Sequence, residues 1–338
     1  MSSFCVQVRN SVVWSQFSRK LSGCFFVLIG IAILLSASIV VSAEPYQVKA
    51  VKDVVFKTVD GKQLKVNIFL PVKKDGTVLK GSPLLIHVAG GCWICGGPSS
   101  GGYWASWKMV EQGYAVAGIC HRSLLDGHAF PKQMEDVRAA IRFLRAKAPE
   151  YGYDPTRFAC MGASSAGFMS AVAGISDKHK IFDVGENLDQ SSQVQCVVDF
   201  CGPVDVLSMI ERQNNHLPWC LAVAIGAKYP AGTPLEVRQK TNYEEQVKNL
   251  REEAVRFSPI TYADQDFAPT IVLHGAKDTV VPPSQACLFH EKLRRAGVVT
   301  ELYMFNPGLH SPTTYGPVEV YREPVIKFVE RVLGKPAN

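Results

Sequence analysis

The sequence predicts an α/β fold, with a mostly parallel central sheet and helices on both faces. Three observations predict it. Short apolar runs of strand length recur between residues 50 and 305. Segments with helical periodicity lie between several of them, which is the alternation that parallel βαβ units require. Several runs are mainly apolar rather than alternating, as strands covered on both faces are.

Taken in order, Val51 to Thr58 and Leu64 to Leu70 read as a meander, turned at Asp60-Gly61. Pro83 to Val88 is the next buried strand, followed by a helix near Tyr103 to Gln112 and a strand from Ala115 to Cys120. The clearest helix is Gln133 to Ala148, where Val137, Ala140, Ile141, Leu144 and Ala148 form one stripe. Pro149 follows its end, and Asp154-Pro155 marks the next turn. Strands then fall at Phe158 to Met161, Val194 to Phe200, Thr270 to His274 and Thr300 to Phe305. Further helices are expected at Phe168 to Ile175, Ser284 to Ala296 and Pro324 to Leu333. The stretch Glu211 to Phe257 is longer and more polar than a simple connection, with a helix-forming segment from Tyr243 to Arg256 and an apolar patch at Leu217-Pro218-Trp219. It reads as a small cap-like insertion, 211–257, or as a surface decoration.

Residues 1–43 differ from the rest. They hold Arg9, Arg19 and Lys20, no acid, and an apolar run from Cys24 to Val41 ending in Val41-Ser42-Ala43. This is the pattern of an export signal cleaved before Glu44, which leaves 44–338 as one domain in a secreted or periplasmic protein. The alternative is an uncleaved anchor, with the folded part still outside the cytoplasm because the positive charge precedes the apolar run. A membrane is a partner only in that case. Without the three basic residues of the signal, 33 basic face 30 acidic side chains in no dense run, so nucleic acid is not an expected partner.

Cys5 and Cys24 fall in the signal, leaving eight cysteines. Export permits disulfides, but Cys120, Cys160, Cys196 and Cys201 lie in or beside interior strands, where free cysteine packs as a small apolar residue. Cys92-x-x-Cys95 sits in a glycine-rich loop with no second metal-spaced pair, so no metal is expected.

The chemistry concentrates in four places. Gly162-Ala163-Ser164-Ser165-Ala166-Gly167 joins a strand to a helix through small residues, the context of a nucleophile elbow. Sterics admit Ser164, flanked by Gly162 and Ala166, or Ser165, flanked by Ala163 and Gly167; ordinary capping serines are the alternative. Asp278 follows the strand that ends at His274, at the carboxyl edge where ligand sites of open α/β sheets gather. His310 follows the last strand in a loop that can return an imidazole toward Ser164. The order Ser, Asp, His is that of a hydrolase triad, and the combination is far more specific than its parts. Ala89-Gly90-Gly91-Cys92-Trp93 follows a buried strand and can turn N–H groups inward; Gly91, Cys92 and the residue after the nucleophile are the candidate oxyanion donors. Trp93 reads either as the wall of an acyl pocket or as a packing residue.

Over roughly residues 50 to 335 these features resemble the α/β-hydrolase family, and within it the exported carboxylesterases that include bifunctional feruloyl and acetylxylan esterases. The resemblance rests on Phe130-Pro131-Lys132-Gln133-Met134-Glu135-Asp136-Val137, Gly202-Pro203-Val204-Asp205, Ser258-Pro259-Ile260, His274 to Asp278 and Gly308-Leu309-His310, in that order. It implies an α/β-hydrolase fold, no cofactor, and a catalytic set of Ser164, Asp278 and His310 with Ser165 donating an oxyanion N–H. Ser165 as nucleophile and Asp205 as acid are the alternatives. Two departures stand out: Ala89 replaces a histidine of the family pattern, and Ala166 replaces the last glycine of the elbow.

The resulting expectation is a secreted serine carboxylesterase acting through an acyl-enzyme on a small-molecule or polysaccharide-linked ester. A serine peptidase of the prolyl-oligopeptidase type is a second reading, for whose large extra domain the chain has little room. A non-catalytic binding protein, suggested by Ala89 and Ala166, is a third.

Overall fold

The computed structural model describes residues 46–94, 106–211, 219–230, 232–241 and 244–336. The proposed signal 1–43, Cys95 and the Leu217-Pro218 part of the apolar patch lie outside the described residues.

Eight strands form one sheet: β1 (Gln47–Val59), β2 (Lys62–Val72), β3 (Ser82–Val88), β4 (Ala115–Ile119), β5 (Tyr153–Ala163), β6 (Cys196–Phe200), β7 (Thr270–Gly275) and β8 (Thr300–Phe305). Their order is β1-β2-β4-β3-β5-β6-β7-β8. Only β2 runs against its neighbours; every other pairing is parallel. Asp60 and Gly61 join β1 to β2 with φ of 50° and 74°, the double left-handed turn that matches strand twist.

Strands β3, β4, β6 and β7 are buried along their whole length. That burial explains their apolar character and makes two histidines and an aspartate within them informative. His87, Asp199 and His274 all sit near the carboxyl ends of their strands, the edge to which the chemistry maps.

Helices cover both faces. On one, α2 (Lys132–Tyr151), α3 (Ser165–Gly174) and α9 (Ser284–Arg295) bury Ile141, Phe168 and Leu293; on the other, α1 (Ser106–Glu111) and α10 (Val318–Leu333) bury Val110 and Phe328. Between them in the chain come α4 (Val206–Glu211), α5 (Trp219–Ala224), α6 (Leu235–Lys240), α7 (Glu244–Lys248) and α8 (Arg251–Phe257).

Proline misplaced two boundaries. α2 continues past Pro149 and stops at Gly152, whose φ of 87° turns its N–H back to the Ala148 carbonyl. A proline in the last turn removes a single donor, and it is glycine that ends the helix. α10 likewise starts at Val318 and carries Pro324 inside it. Asp154-Pro155 falls within β5, where pairing with β3 jumps from Ser82↔Tyr153 to Leu84↔Phe158. The turn survives as a bulge, closed by Thr156 N–H on the Asp154 carboxylate.

The segment read as one helix from Tyr243 to Arg256 is interrupted at Asn249-Leu250, separating α7 from α8. The insertion is not uniform. α5 buries Cys220 to Ala224 in the main core, and the Ala224 carbonyl accepts from the Phe130 N–H, whereas α6 buries nothing.

Candidate active site

β5 delivers Ser164 to the head of α3 with φ 60° and ψ −124°, a strained left-handed conformation for a non-glycine residue. The crossing is tight. A Cβ on Gly162 would lie 2.4 Å from the Ala166 methyl, and one on Gly90 would lie 2.7 Å from the Ala163 carbonyl oxygen. The Ala166 methyl is fully buried and fits because residue 162 has no side chain, so this departure leaves the elbow intact. The strain is held from the neighbouring strand: Ser164 N–H donates to the Phe200 carbonyl at 2.8 Å. Ser165 is the first helical residue, and its hydroxyl is buried without a partner.

The loops after β7 and β8 come together at the same edge. Ala276 N–H donates to the Phe305 carbonyl at 2.7 Å, and Lys277 N–H to the Gly308 carbonyl at 2.9 Å. A Cβ on Gly275 would meet the Leu309 oxygen at 2.3 Å, so only glycine allows this approach. The result is a continuous relay, with His310 Nδ1 2.7 Å from Asp278 Oδ2 and His310 Nε2 2.9 Å from Ser164 Oγ. Because an ionised carboxylate only accepts, Nδ1 carries the proton and Nε2 is left to receive one from the serine.

Asp278 is buried. Burial pushes its carboxyl up, but hydrogen bonds from His274 and His310, the charge of His310 and the Val281 N–H outweigh it and hold the group well below the usual carboxylate range. The alternative acid lies elsewhere. Asp205 accepts from the Ser208 N–H at 3.1 Å, as the N-cap of α4.

The loop after β3 takes three left-handed residues in succession, Gly91 (φ 102°), Cys92 (55°) and Trp93 (56°). The backbone N–H groups of Gly91 and Cys92 in this loop and of Ser165 at the head of α3 border the elbow. Trp93 has the surroundings of a packing residue. Its indole is 2% exposed and packs edge-on against Phe130 and Phe168, at 5.3 and 5.4 Å between ring centroids. The ring supports the loop from the core side and has little surface left for substrate.

Two contacts escaped sequence reasoning. The Cys220 thiol of α5 lies beside Cys92, and together with nearby His310 it outweighs burial and lowers Cys92 to about 7. His274, at the end of β7, reaches the Asp278 carboxylate at 3.2 Å. The first depends on α5 folding back over the loop; the second spans four residues, inside the His274 to Asp278 segment already singled out. The described cysteines are all free. Among the described residues, one trio of ligand type has its atoms within 4.8 Å of one another, namely Cys201, Asp278 and His310. Two of the three already bond each other, and burial pushes the Cys201 thiol up to about 12, so the set is better suited to proton relay than to a metal.

A family model, BD-FAE, matches residues 66–293, more than half of the chain. The chain belongs to the BD-FAE family. Esterase LipQ of Mycobacterium tuberculosis is 27% identical over 230 residues, covering 68% of this chain and 50% of that protein. A probable isoprenylcysteine alpha-carbonyl methylesterase of Arabidopsis thaliana, ICMEL1, is 23% identical over 249 residues, covering 73% and 48%. The chain thus spans about half the length of the curated relatives it matches. Among solved structures, a truncated form of a carbohydrate esterase from gut microbiota is 26% identical with a TM-score of 0.66, covering 86% of this chain and 98% of that one. The Est2 esterase of Thermogutta terrifontis, 21% identical, shares the fold with a TM-score of 0.65 over 87% and 96%. The BD-FAE member described here has the α/β-hydrolase fold.

Proposed function

We propose that this chain is a serine carboxylesterase that works through an acyl-enzyme. The observation that carries the reading is the His310 imidazole, hydrogen-bonded to Ser164 on one side and Asp278 on the other. Ser164 Oγ attacks the ester carbonyl while His310 Nε2 takes its proton, and Asp278 holds the imidazole in the required tautomer. The N–H groups of Gly91, Cys92 and Ser165 receive the developing oxyanion. His310 then returns the proton to the departing alcohol, and water repeats the sequence to release the acid. The esterase names of the relatives support the activity, and the carbohydrate esterase among the structural neighbours supports a sugar- or polysaccharide-linked ester as substrate.

Export completes the proposal, with cleavage before Glu44 and an extracytoplasmic catalytic domain. Its support is the basic-then-apolar pattern of residues 1–43. Among the described residues no helix is long and apolar enough to cross a membrane.

The test is turnover of p-nitrophenyl acetate by the purified protein and by Ser164→Ala. The variant is expected to lose on the order of 10⁴-fold or more in kcat. Equal turnover by both proteins contradicts the reading.

A further inference from the structure

We infer that His274 is a positioning residue for the reaction, a second imidazole that clamps the Asp278 carboxylate from behind; the inference rests on the esterase reading of the Ser164 site. His274 is the penultimate residue of the buried strand β7 and is fully enclosed. Its Nε2 lies 2.9 Å from the Val281 carbonyl and 3.2 Å from Asp278 Oδ2. A carbonyl only accepts, so Nε2 carries the hydrogen and donates it to Val281, with Asp278 Oδ2 close beside the same N–H.

The consequence for Asp278 is full occupancy. Oδ1 accepts the N–H groups of Val280 and Val281, at 2.8 and 2.9 Å. Oδ2 accepts from His310 at 2.7 Å and faces His274 as well. Three hydrogen bonds and the adjacent His274 N–H leave the carboxylate little rotational freedom, and the two groups at Oδ2 fix the direction from which His310 is held. His274 also links the start of the acid loop to its end, because Val281 is the residue whose N–H and C=O are both engaged.

The other face of the ring strengthens the assignment. His274 Nδ1 is buried without a partner, and from β6 the carboxylate of Asp199 interacts with the ring, its Oδ2 also buried and unpartnered. Among the described residues, the hydrogen bond of the ring goes to the acid loop, through the Val281 carbonyl.

The distinguishing variants are His274→Gln and His274→Asn. A glutamine amide can present N–H near the Nε2 position, whereas asparagine reaches only the Nδ1 position. His274→Asn is expected to lose about 10- to 100-fold in kcat with KM little changed, and to move the acid limb of the pH–rate profile upward, because an Asp278 relieved of one donor holds the proton on His310 more strongly. His274→Gln should recover most of both effects. The far-downfield proton resonance of the His310–Asp278 hydrogen bond, read by NMR without any ester, should shift in the Asn variant and return in the Gln variant.

An active wild type whose Asn variant matches it in kcat, pH profile and proton resonance overturns the inference and leaves the esterase reading standing. A wild type without ester turnover defeats the esterase reading, and the proton resonance still decides whether His274 sets the geometry of Asp278. If the Asn variant fails to fold, nitrogen-15 NMR of the wild type decides: hydrogen on Nε2 of His274 supports the clamp, and hydrogen on Nδ1 alone excludes it.

Discussion

Two carboxylates at the ends of neighbouring strands share one histidine and have opposite characters. Asp278 follows β7, Asp199 lies on β6, and both are buried, at 6% and 1% exposure. Asp278 is surrounded by four donors and held well below the ordinary carboxylate range. Asp199 accepts one backbone bond, from the Gly202 N–H at 2.8 Å, and burial pushes it up to about 6. Burial is common to both, so it is the donors and the charge of His310 that hold Asp278 low while Asp199 rises. Asp278 is the one that bonds His310. The other wedges between α3 and the loop after β6, where a Cβ on Gly167 or Gly202 would come within 2.3 or 2.5 Å of its oxygen, directly behind the strand end that anchors Ser164.

The sharpest break of this comparison is Asp278→Asn. An amide cannot hold His310 in the productive tautomer, and kcat should fall by about 10⁴-fold while the fold persists. Steady-state kinetics with circular dichroism as the control measure this. A fall of less than tenfold would remove Asp278 from its role.

Asp199→Asn probes the other carboxylate through stability. A raised folded value means that the folded state binds the proton more tightly than the unfolded chain between 3.8 and about 6. The acid therefore supports the fold at low pH, and that support is lost as pH rises through 6. An uncharged amide avoids the loss, so the variant should be more stable than the wild type by about 3 kcal/mol at pH 8, with a smaller gain at pH 5. Urea unfolding at the two pH values tests this, and a gain independent of pH contradicts it.

The smallest effect is expected at Asp205→Asn. Asparagine caps a helix as well as aspartate does, so kcat should stay within about twofold and stability within about 0.5 kcal/mol. A loss matching that of Asp278→Asn would assign the acid to the wrong strand.

Much of this was legible in the chain. The strand–helix alternation, the Asp60-Gly61 turn and the Ser, Asp, His order rest on local patterns that tertiary structure had no reason to override. What stayed open has physical causes. Small residues flank both serines, and it takes the left-handed backbone of Ser164 and its hydrogen bond to His310 to separate the two registers. Pro149 and Pro324 read as boundaries because a single missing N–H looks like a stop, although a packed helix tolerates it. Trp93 could be a pocket wall or a core residue until Phe130 and Phe168 were seen around it. His274 and Asp199 stood in plain view within apolar strands, and their meaning lies in a loop that turns back over the sheet edge.

The central claim is that Ser164 is an activated nucleophile. Reaction of the folded protein with a fluorophosphonate, followed by mass-spectrometric mapping, tests it most directly. The account predicts modification at Ser164, none at Ser165, and loss of labelling in His310→Ala. Folded protein that stays unlabelled, or a label on Ser165, would contradict it.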